Sequence, residues 1–237
     1  EGAAAPGGGT QRRIGLQPSI NGLGEIWFVT EVSGGGSSEV LWRWTGGVST
    51  RELEVGDVLD SGETVESLHY RQEVDSNVNG YVGFIAHVSP GRDAIVLRDP
   101  GAPIGDAVAT EGDACQTGGT YGSIDLNVAV SSAGDVAFEA NCPNGLATVH
   151  VPFGGAAVAT GGVLDATAIG VGFRFRDPQV NAAGDSVFHG FRTGLHRAAC
   201  PLGVCGAITN VMATGDPAPG MLGQHLDMIY DTTLNGR

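Results

Sequence analysis

Ser131-Ser-Ala-Gly134-Asp-Val-Ala-Phe138 reads as a turn that opens into a strand. Its first half is turn chemistry, with a short polar residue that suits local backbone bonding and a glycine that takes positive φ without strain. The residues that follow alternate. Val136 and Phe138 share one face of the strand, while Asp135, Ala137 and Glu139 share the other.

Three more copies keep the same offsets: Asn21-Gly-Leu-Gly24-Glu-Ile-Trp-Phe28, Asn77-Val-Asn-Gly80-Tyr-Val-Gly-Phe84 and Asn181-Ala-Ala-Gly184-Asp-Ser-Val-Phe188. A fifth begins at Asn235, so the Asn slot falls at 21, 77, 131, 181 and 235. A second marker keeps the same period: Thr214-Gly-Asp-Pro-Ala-Pro-Gly220 aligns with Glu1-Gly-Ala-Ala-Ala-Pro-Gly7, with weaker versions at Gly56-Asp57, Gly112-Asp113 and Gly161-Gly162. A fixed period of about 54 residues is the mark of a repeat architecture. The expected organisation is a single repeat domain over 1–237, with repeats at approximately 1–54, 55–110, 111–159 and 160–213 and a partial fifth at 214–237.

Each repeat reads as four short strands separated by Gly/Pro/Ser clusters such as Ser33-Gly-Gly-Gly-Ser-Ser38. In the first repeat these are 13–20, 25–32, 39–45 and 48–55; in the second, 64–75, 81–88, 94–99 and 107–110. No 3.6-residue apolar stripe competes with them. The predicted fold is therefore all-β, a β-propeller of four full blades plus part of a fifth, with a β-solenoid as the alternative. A small residue beside the Phe slot (Gly83, Ala137, Val187) allows close sheet-on-sheet approach. Trp27 breaks that rule, so the first repeat is expected to pack differently or to face solvent.

Composition excludes several functions. Glycine supplies 40 of 237 residues without a collagen period, as many tight turns would require. The formal charge is −14, with twelve arginines and no lysine. That argues against nucleic-acid binding and against docking on anionic membranes. No apolar run approaches the ~18 residues of a membrane helix. Four cysteines, an even number, point to an extracellular disulfide framework. Cys200 and Cys205 would close a small loop, leaving Cys115 to pair with Cys142; the alternative is four reduced thiols in a cytosolic chain. Their spacing does not suit zinc.

The N-x-x-G-x-x-A-F signature, with its upstream G-D-x-A-P-G turn, resembles the bacterial tandem-repeat proteins named for NxxGxxAF repeats. The resemblance covers essentially the whole chain, although the second and fourth copies carry Gly83 and Val187 in the Ala slot. It implies a secreted or surface-anchored protein and contributes no catalytic residue.

Candidate binding residues come from two places. The strand before each Asn slot carries polar groups expected to line a channel: Arg12 and Arg13, His69 and Arg71, Asp125 and Asn127, Arg174 and Arg176, and His225 and Asp227. Arginines there would grip an anionic ligand, or else pair with acids such as Asp125 and Asp227. Trp42 and Trp44 share one strand face, where they either stack on sugar rings or pack between repeats. Aspartates at 57, 60, 113 and 216 raise calcium, but no D-x-D-x-D-G loop exists and turn capping accounts for them. No other cofactor is called for. The six histidines form no H-x-x-x-H motif and there is no G-x-S-x-G elbow. The expected function is a non-catalytic extracellular or cell-surface scaffold, structural, adhesive or ligand-binding. Polysaccharide, other surface proteins or copies of itself are its expected partners. The alternatives are a carbohydrate-active hydrolase or lyase at a channel mouth, and a subunit of an extracellular assembly.

Overall fold

In the first three repeats four hydrogen bonds build the Asn or Ser slot into a closed turn. In the first repeat the Asn21 Oδ1 accepts the N–H groups of Leu23 and Glu25, both at 3.0 Å. The Asn21 N–H donates to the Glu25 carbonyl, and the Gly24 N–H donates to the Asn21 carbonyl. Asn77 does the same with Asn79, Tyr81 and Gly80. At Ser131 the hydroxyl oxygen takes the place of the amide, accepting from Ala133 at 3.1 Å and Asp135 at 3.0 Å. Asn181 accepts from Ala183 and Asp185, both at 3.0 Å. The glycine closes the turn at φ +77° in Gly24, +88° in Gly80 and +90° in Gly134, a region that L side chains disfavour.

The computed structural model describes residues 2, 4–5, 8–15, 17–34, 38–68, 73–115, 118–143, 145–153, 175–181, 183, 185–190, 194–199 and 209–213. Among these the chain is all-β, without a helix. Each repeat makes its own antiparallel sheet. The first holds β1 (Thr10–Ile14), β2 (Ser19–Ile20), β3 (Ile26–Ser33), β4 (Glu39–Thr45) and β5 (Val48–Glu54), in order β1-β3-β4-β5 with β2 also on β3. The second holds β6 (Val65–Ser67), β7 (Asp75–Ser76), β8 (Val82–Val88), β9 (Arg92–Arg98) and β10 (Asp106–Thr110), in the corresponding order. The third is β11 (Ser123–Val130), β12 (Val136–Cys142) and β13 (Gly145–Val151). The fourth is β14 (Phe175–Val180), β15 (Asp185–Gly190), β16 (Gly194–Ala199) and β17 (Thr209–Ala213).

The expected strands fall close to the observed ones, with one systematic difference. The first strand, read as 13–20, is two pieces, β1 and β2, because Pro18 has no N–H to contribute to a ladder. Its counterpart, read as 64–75, is likewise β6 and β7. The chain divides into two compact units, Glu1–Glu111 and Gly112–Arg237, so the division falls at the start of the third repeat.

In the first unit the two sheets pack face to face. Trp27, Val29, Leu41 and Leu53 meet Val65, Val82, Phe84, Ala86 and Val96 in one buried core. At its margin β2 lies beside β7, where the Ser76 N–H donates to the Ser19 Oγ at 3.0 Å. Trp27 therefore does pack differently, as a large side chain in the small-residue slot, but it is buried and not solvent-facing. In the second unit Ala137 holds that slot and packs with Ala129 and Val180, joining the third sheet to the fourth. Phe138, on the opposite face, is buried edge-on against Tyr121 with ring centroids 6.0 Å apart.

The junction marker is a second recurring loop. The N–H groups of Gly2, Gly56 and Gly112 donate to the carbonyls of Gln11, Val65 and Tyr121. Three residues further on, Ala5, Leu59 and Cys115 are buried. Cys115 forms a disulfide with Cys142 at the end of β12, Cα atoms 6.0 Å apart. Cys200 and Cys205 lie outside the described residues.

Candidate functional site

The residue after the turn glycine is acidic in three repeats: Glu25, Asp135 and Asp185. Strand pairing places a base across from the small-residue slot in the same three: Arg43 opposite Trp27, His150 opposite Ala137 and Arg197 opposite Val187. Each acid meets its base. Arg43 Nη1 lies 3.1 Å from Glu25 Oε1, Arg197 Nη2 2.9 Å from Asp185 Oδ2, and His150 Nε2 3.7 Å from Asp135 Oδ2. The second repeat has Tyr81 and Leu97 at these positions instead. The pairing escapes sequence reading because base follows acid by 18, 15 and 12 residues, according to hairpin length. Only the ladder register brings the positions into line.

Around Trp27 the pair grows into a network. The Arg43 Nε donates to Glu52 Oε1 at 2.8 Å, and the Arg98 Nη2 donates to Glu52 Oε2 at 3.0 Å. Both guanidinium groups lie over the Trp27 ring, at 5.8 and 5.2 Å from its centroid. Two acids and two bases leave it electrically balanced. Burial works against the Glu25 carboxylate. Hydrogen bonds from Asn21, Arg43 and Trp27 and the charge of Arg43 outweigh that and hold its pKa below the ordinary value.

In the third sheet, Asp135, Ala137, Glu139 and His150 lie on one face. Glu139 and His150 are buried. Burial likewise disfavours the Asp135 carboxylate. The His150 contact, the Phe153 N–H at 2.9 Å and the Ser131 hydroxyl prevail and lower its pKa. In the second sheet, His87 Nδ1 is 2.7 Å from Asp93 Oδ1 and its Nε2 is 3.8 Å from Glu66 Oε2. This half-exposed imidazole is held by one carboxylate and directed at another, the arrangement that orients a proton-transferring histidine.

Of the residues singled out from sequence as binding candidates, Trp42, Trp44 and Arg176 fall among the described residues. Trp42 is fully buried, its Nε1 donating to Thr30 Oγ1 at 2.7 Å and Arg51 lying over its ring. It has no face left for a sugar, which corrects its place among the binding candidates. Packing with Ala5, Val32 and Val40 fills that side of the sheet. Trp44, on the same face, remains 36% exposed. Arg176 belongs to β14, opposite His189 in register. His69, Arg71 and Arg174 lie outside the described residues. Arg13 pairs with Glu31 at 3.5 Å. Of the aspartates read as turn caps, Asp57 acts as one, its Oδ2 accepting the Glu54 N–H at 2.8 Å; Asp60 Oδ2 accepts the N–H of Gly105, from a different loop, at 3.0 Å, and Asp216 lies outside the described residues. Among the described residues no group of three or more His, Cys, Asp or Glu side chains is placed to hold a metal ion.

A family model matches residues 1–237, the whole chain. The chain belongs to DUF7453, a family of unknown function. No curated protein matches it. Among solved structures it is similar to PorZ, described as an essential bacterial surface component of the type-IX secretion system of Porphyromonas gingivalis. The identity is 15% and the TM-score 0.43, over 89% of this chain and 28% of that one. This chain thus spans little more than a quarter of the length of PorZ. A second likeness is to a putative oxidoreductase (glucose dehydrogenase) from Thermus thermophilus, at 12% identity and TM-score 0.33 over 84% of each chain. At these scores neither likeness carries an argument about activity.

Proposed function

We propose that the chain is a non-catalytic extracellular or cell-surface scaffold in which each repeat is one blade of a β-propeller. The observation that carries this reading is the use of the recurring polar positions. The Asn/Ser slot closes a turn, and the acid beside the turn glycine pairs with a base of its own sheet in three repeats. Repetition of this kind maintains architecture, and among the described residues it engages these recurring polar groups within their own sheets. One antiparallel sheet per repeat, packed on its neighbour within each unit, supports the blade assignment. The Cys115–Cys142 disulfide supports an oxidising, extracellular setting. The NxxGxxAF resemblance points the same way.

Glycan-array binding tests the adhesive form of this role, with Trp44→Ala as the variant that removes the exposed ring. Binding that Trp44→Ala abolishes assigns a sugar-stacking role to that ring, while silence across the array leaves a structural role. The His87–Asp93 pair favours one competing reading, a carbohydrate-active hydrolase or lyase. Incubation with a polysaccharide panel is expected to release no new reducing or unsaturated ends. Release that disappears in His87→Ala would replace the scaffold reading with the enzymatic one.

A further inference from the structure

One corner of the second sheet departs from the repeat. Three residues beyond the Phe slot, register sets Glu31 opposite Glu39 in the first sheet and Asn141 opposite Leu146 in the third. In the second it sets His87 opposite Asp93. The strand on the other side differs as well. A bulge between Val65 and Ser67 makes Glu66 an extra residue of β6, and its carboxylate comes to the His87 ring. The first sheet has the same bulge between Gln11 and Arg13, but there Arg13 pairs with Glu31. An arginine–glutamate pair in one repeat is thus a histidine between two carboxylates in the next.

The atoms there are set for a cation. His87 Nδ1 donates to Asp93 Oδ1 at 2.7 Å, so in the neutral ring Nε2 carries the lone pair. That lone pair is directed at Glu66 Oε2, 3.8 Å away. The gap is longer than a hydrogen bond and close to the ~3.4 Å that separates two ligand atoms on one tetrahedral zinc-sized ion. A carboxylate on the other ring nitrogen is the usual support of a metal-bound histidine. The support is itself fixed: the Asp93 N–H donates to Glu111 Oε2 at 3.1 Å and the Glu111 N–H to the Asp93 carbonyl at 2.9 Å. Two hydrogen bonds between Thr64 and Ser89 hold the start of β6 to the β8–β9 hairpin. The His87 and Glu66 side chains are 34% and 43% exposed, so an ion reaches them from solvent and completes its shell with water. Gly91, in that hairpin, adds no side chain: a Cβ there would stand 4.0 Å from Nε2.

We infer that His87 and Glu66 form a half-open site for one divalent ion of the zinc class, with Nε2 and a Glu66 oxygen as its protein ligands and water in the remaining positions. Imidazole selects this class over calcium and magnesium, which take oxygen ligands. Asp93, on the far nitrogen of the ring, is a positioning residue. Two protein ligands are fewer than a structural zinc site has, so the ion binds reversibly, leaves on dialysis and fills the site when supplied. Once bound, it ties β6 to β8 across the bulge. The carboxylates of Glu66, Asp93 and Glu111 outnumber the one guanidinium beside them, Arg92, which favours a cation here. The site does not depend on the scaffold reading, because its test reads binding and not activity.

Calorimetric titration of the dialysed 237-residue chain with Zn²⁺ tests it. The expected result is a saturable site for a single ion that an excess of Ca²⁺ or Mg²⁺ does not fill. His87→Gln and Glu66→Gln are each expected to cost about tenfold or more in affinity, and Asp93→Asn about tenfold, as loss of a ligand's hydrogen-bond support does. Asp106→Asn, which removes the same charge from an exposed position of the same sheet, is expected to leave binding unchanged. Melting transitions without zinc check that each variant folds, and Glu66→Gln, at an exposed side chain, keeps the test decisive if His87→Gln does not. Absence of saturable binding overturns the inference. So does binding that both His87→Gln and Glu66→Gln retain in full, or equal competition from Ca²⁺.

Discussion

At the scale of single residues, the slot at 21, 77, 131 and 181 holds the turn by accepting two backbone N–H groups. Asn77→Ala removes both bonds and leaves those donors to water, at a cost of about 1–2 kcal/mol in urea unfolding. Asn77→Ser is expected to lose less, because Ser131 makes the same contacts with a hydroxyl. Equal losses in the two variants would count against the turn account. The acids beside the glycines predict a pH response. Glu25 is held below its ordinary 4.5 and Asp135 below 3.8, so the unfolded chain binds more protons as acid is added. Their stabilisation is present above those ordinary values and lost as pH falls through the lower folded ones. The urea midpoint is expected to decline below about pH 4.5, and Glu25→Gln to lower the plateau and flatten part of the decline. An acid limb as steep in Glu25→Gln as in the parent would show that this carboxylate is not responsible. The turn chemistry of Asn and Gly was legible in the sequence. The bases opposite the acids were not, because hairpin length sets their spacing and register alone aligns them.

At the scale of elements, the small-residue slot sets how sheets meet. Ala137 lets the third sheet approach the fourth through Ala129 and Val180, whereas Trp27 fills the corresponding space in the first unit beneath two arginines. The period-2 alternation of Val136 to Glu139 correctly placed Phe138 and Ala137 on opposite faces. It did not reveal that the strand before the Asn slot is interrupted in the first and second repeats, since in the first Pro18 stops a ladder without disturbing the alternation around it. The disulfide ties the junction loop of the third repeat to the end of β12 across 27 residues of chain. Closing a loop of that length is worth about 3–4 kcal/mol, mainly through the unfolded state. Cys142→Ser is therefore expected to lower unfolding stability by about that amount, measured by urea titration without reductant. Adding reductant to the parent is expected to reproduce much of the loss.

At the scale of the whole molecule, the described strands form four sheets, over residues 10–54, 65–110, 123–151 and 175–213. The acidity has a partial account. Some acids accept backbone N–H groups in loops, as Asp57 and Asp60 do, and others complete ion pairs within their own sheet. Because those carboxylates already accept backbone N–H groups, chelation is expected to leave the melting temperature unchanged. A downward shift with EDTA that added calcium restores would contradict the capping assignment.

By itself the sequence determined the all-β class, the period, the turns and their glycines, and the Cys115–Cys142 pairing as one of its alternatives. These are local or periodic properties, carried by residue type and spacing. Tertiary structure decided what each side chain meets. It buried Trp42 while leaving Trp44 partly exposed on the same strand face, and it laid Arg43 and Arg98 over Trp27. It also brought the tips of the Asn21 and Asn77 turns together, Val78 against Gly22 and Leu23 against Gly80, from 56 residues apart in sequence. The physical reason is that burial and pairing depend on strand register and sheet stacking, which join residues far apart in sequence and leave no fixed spacing to read.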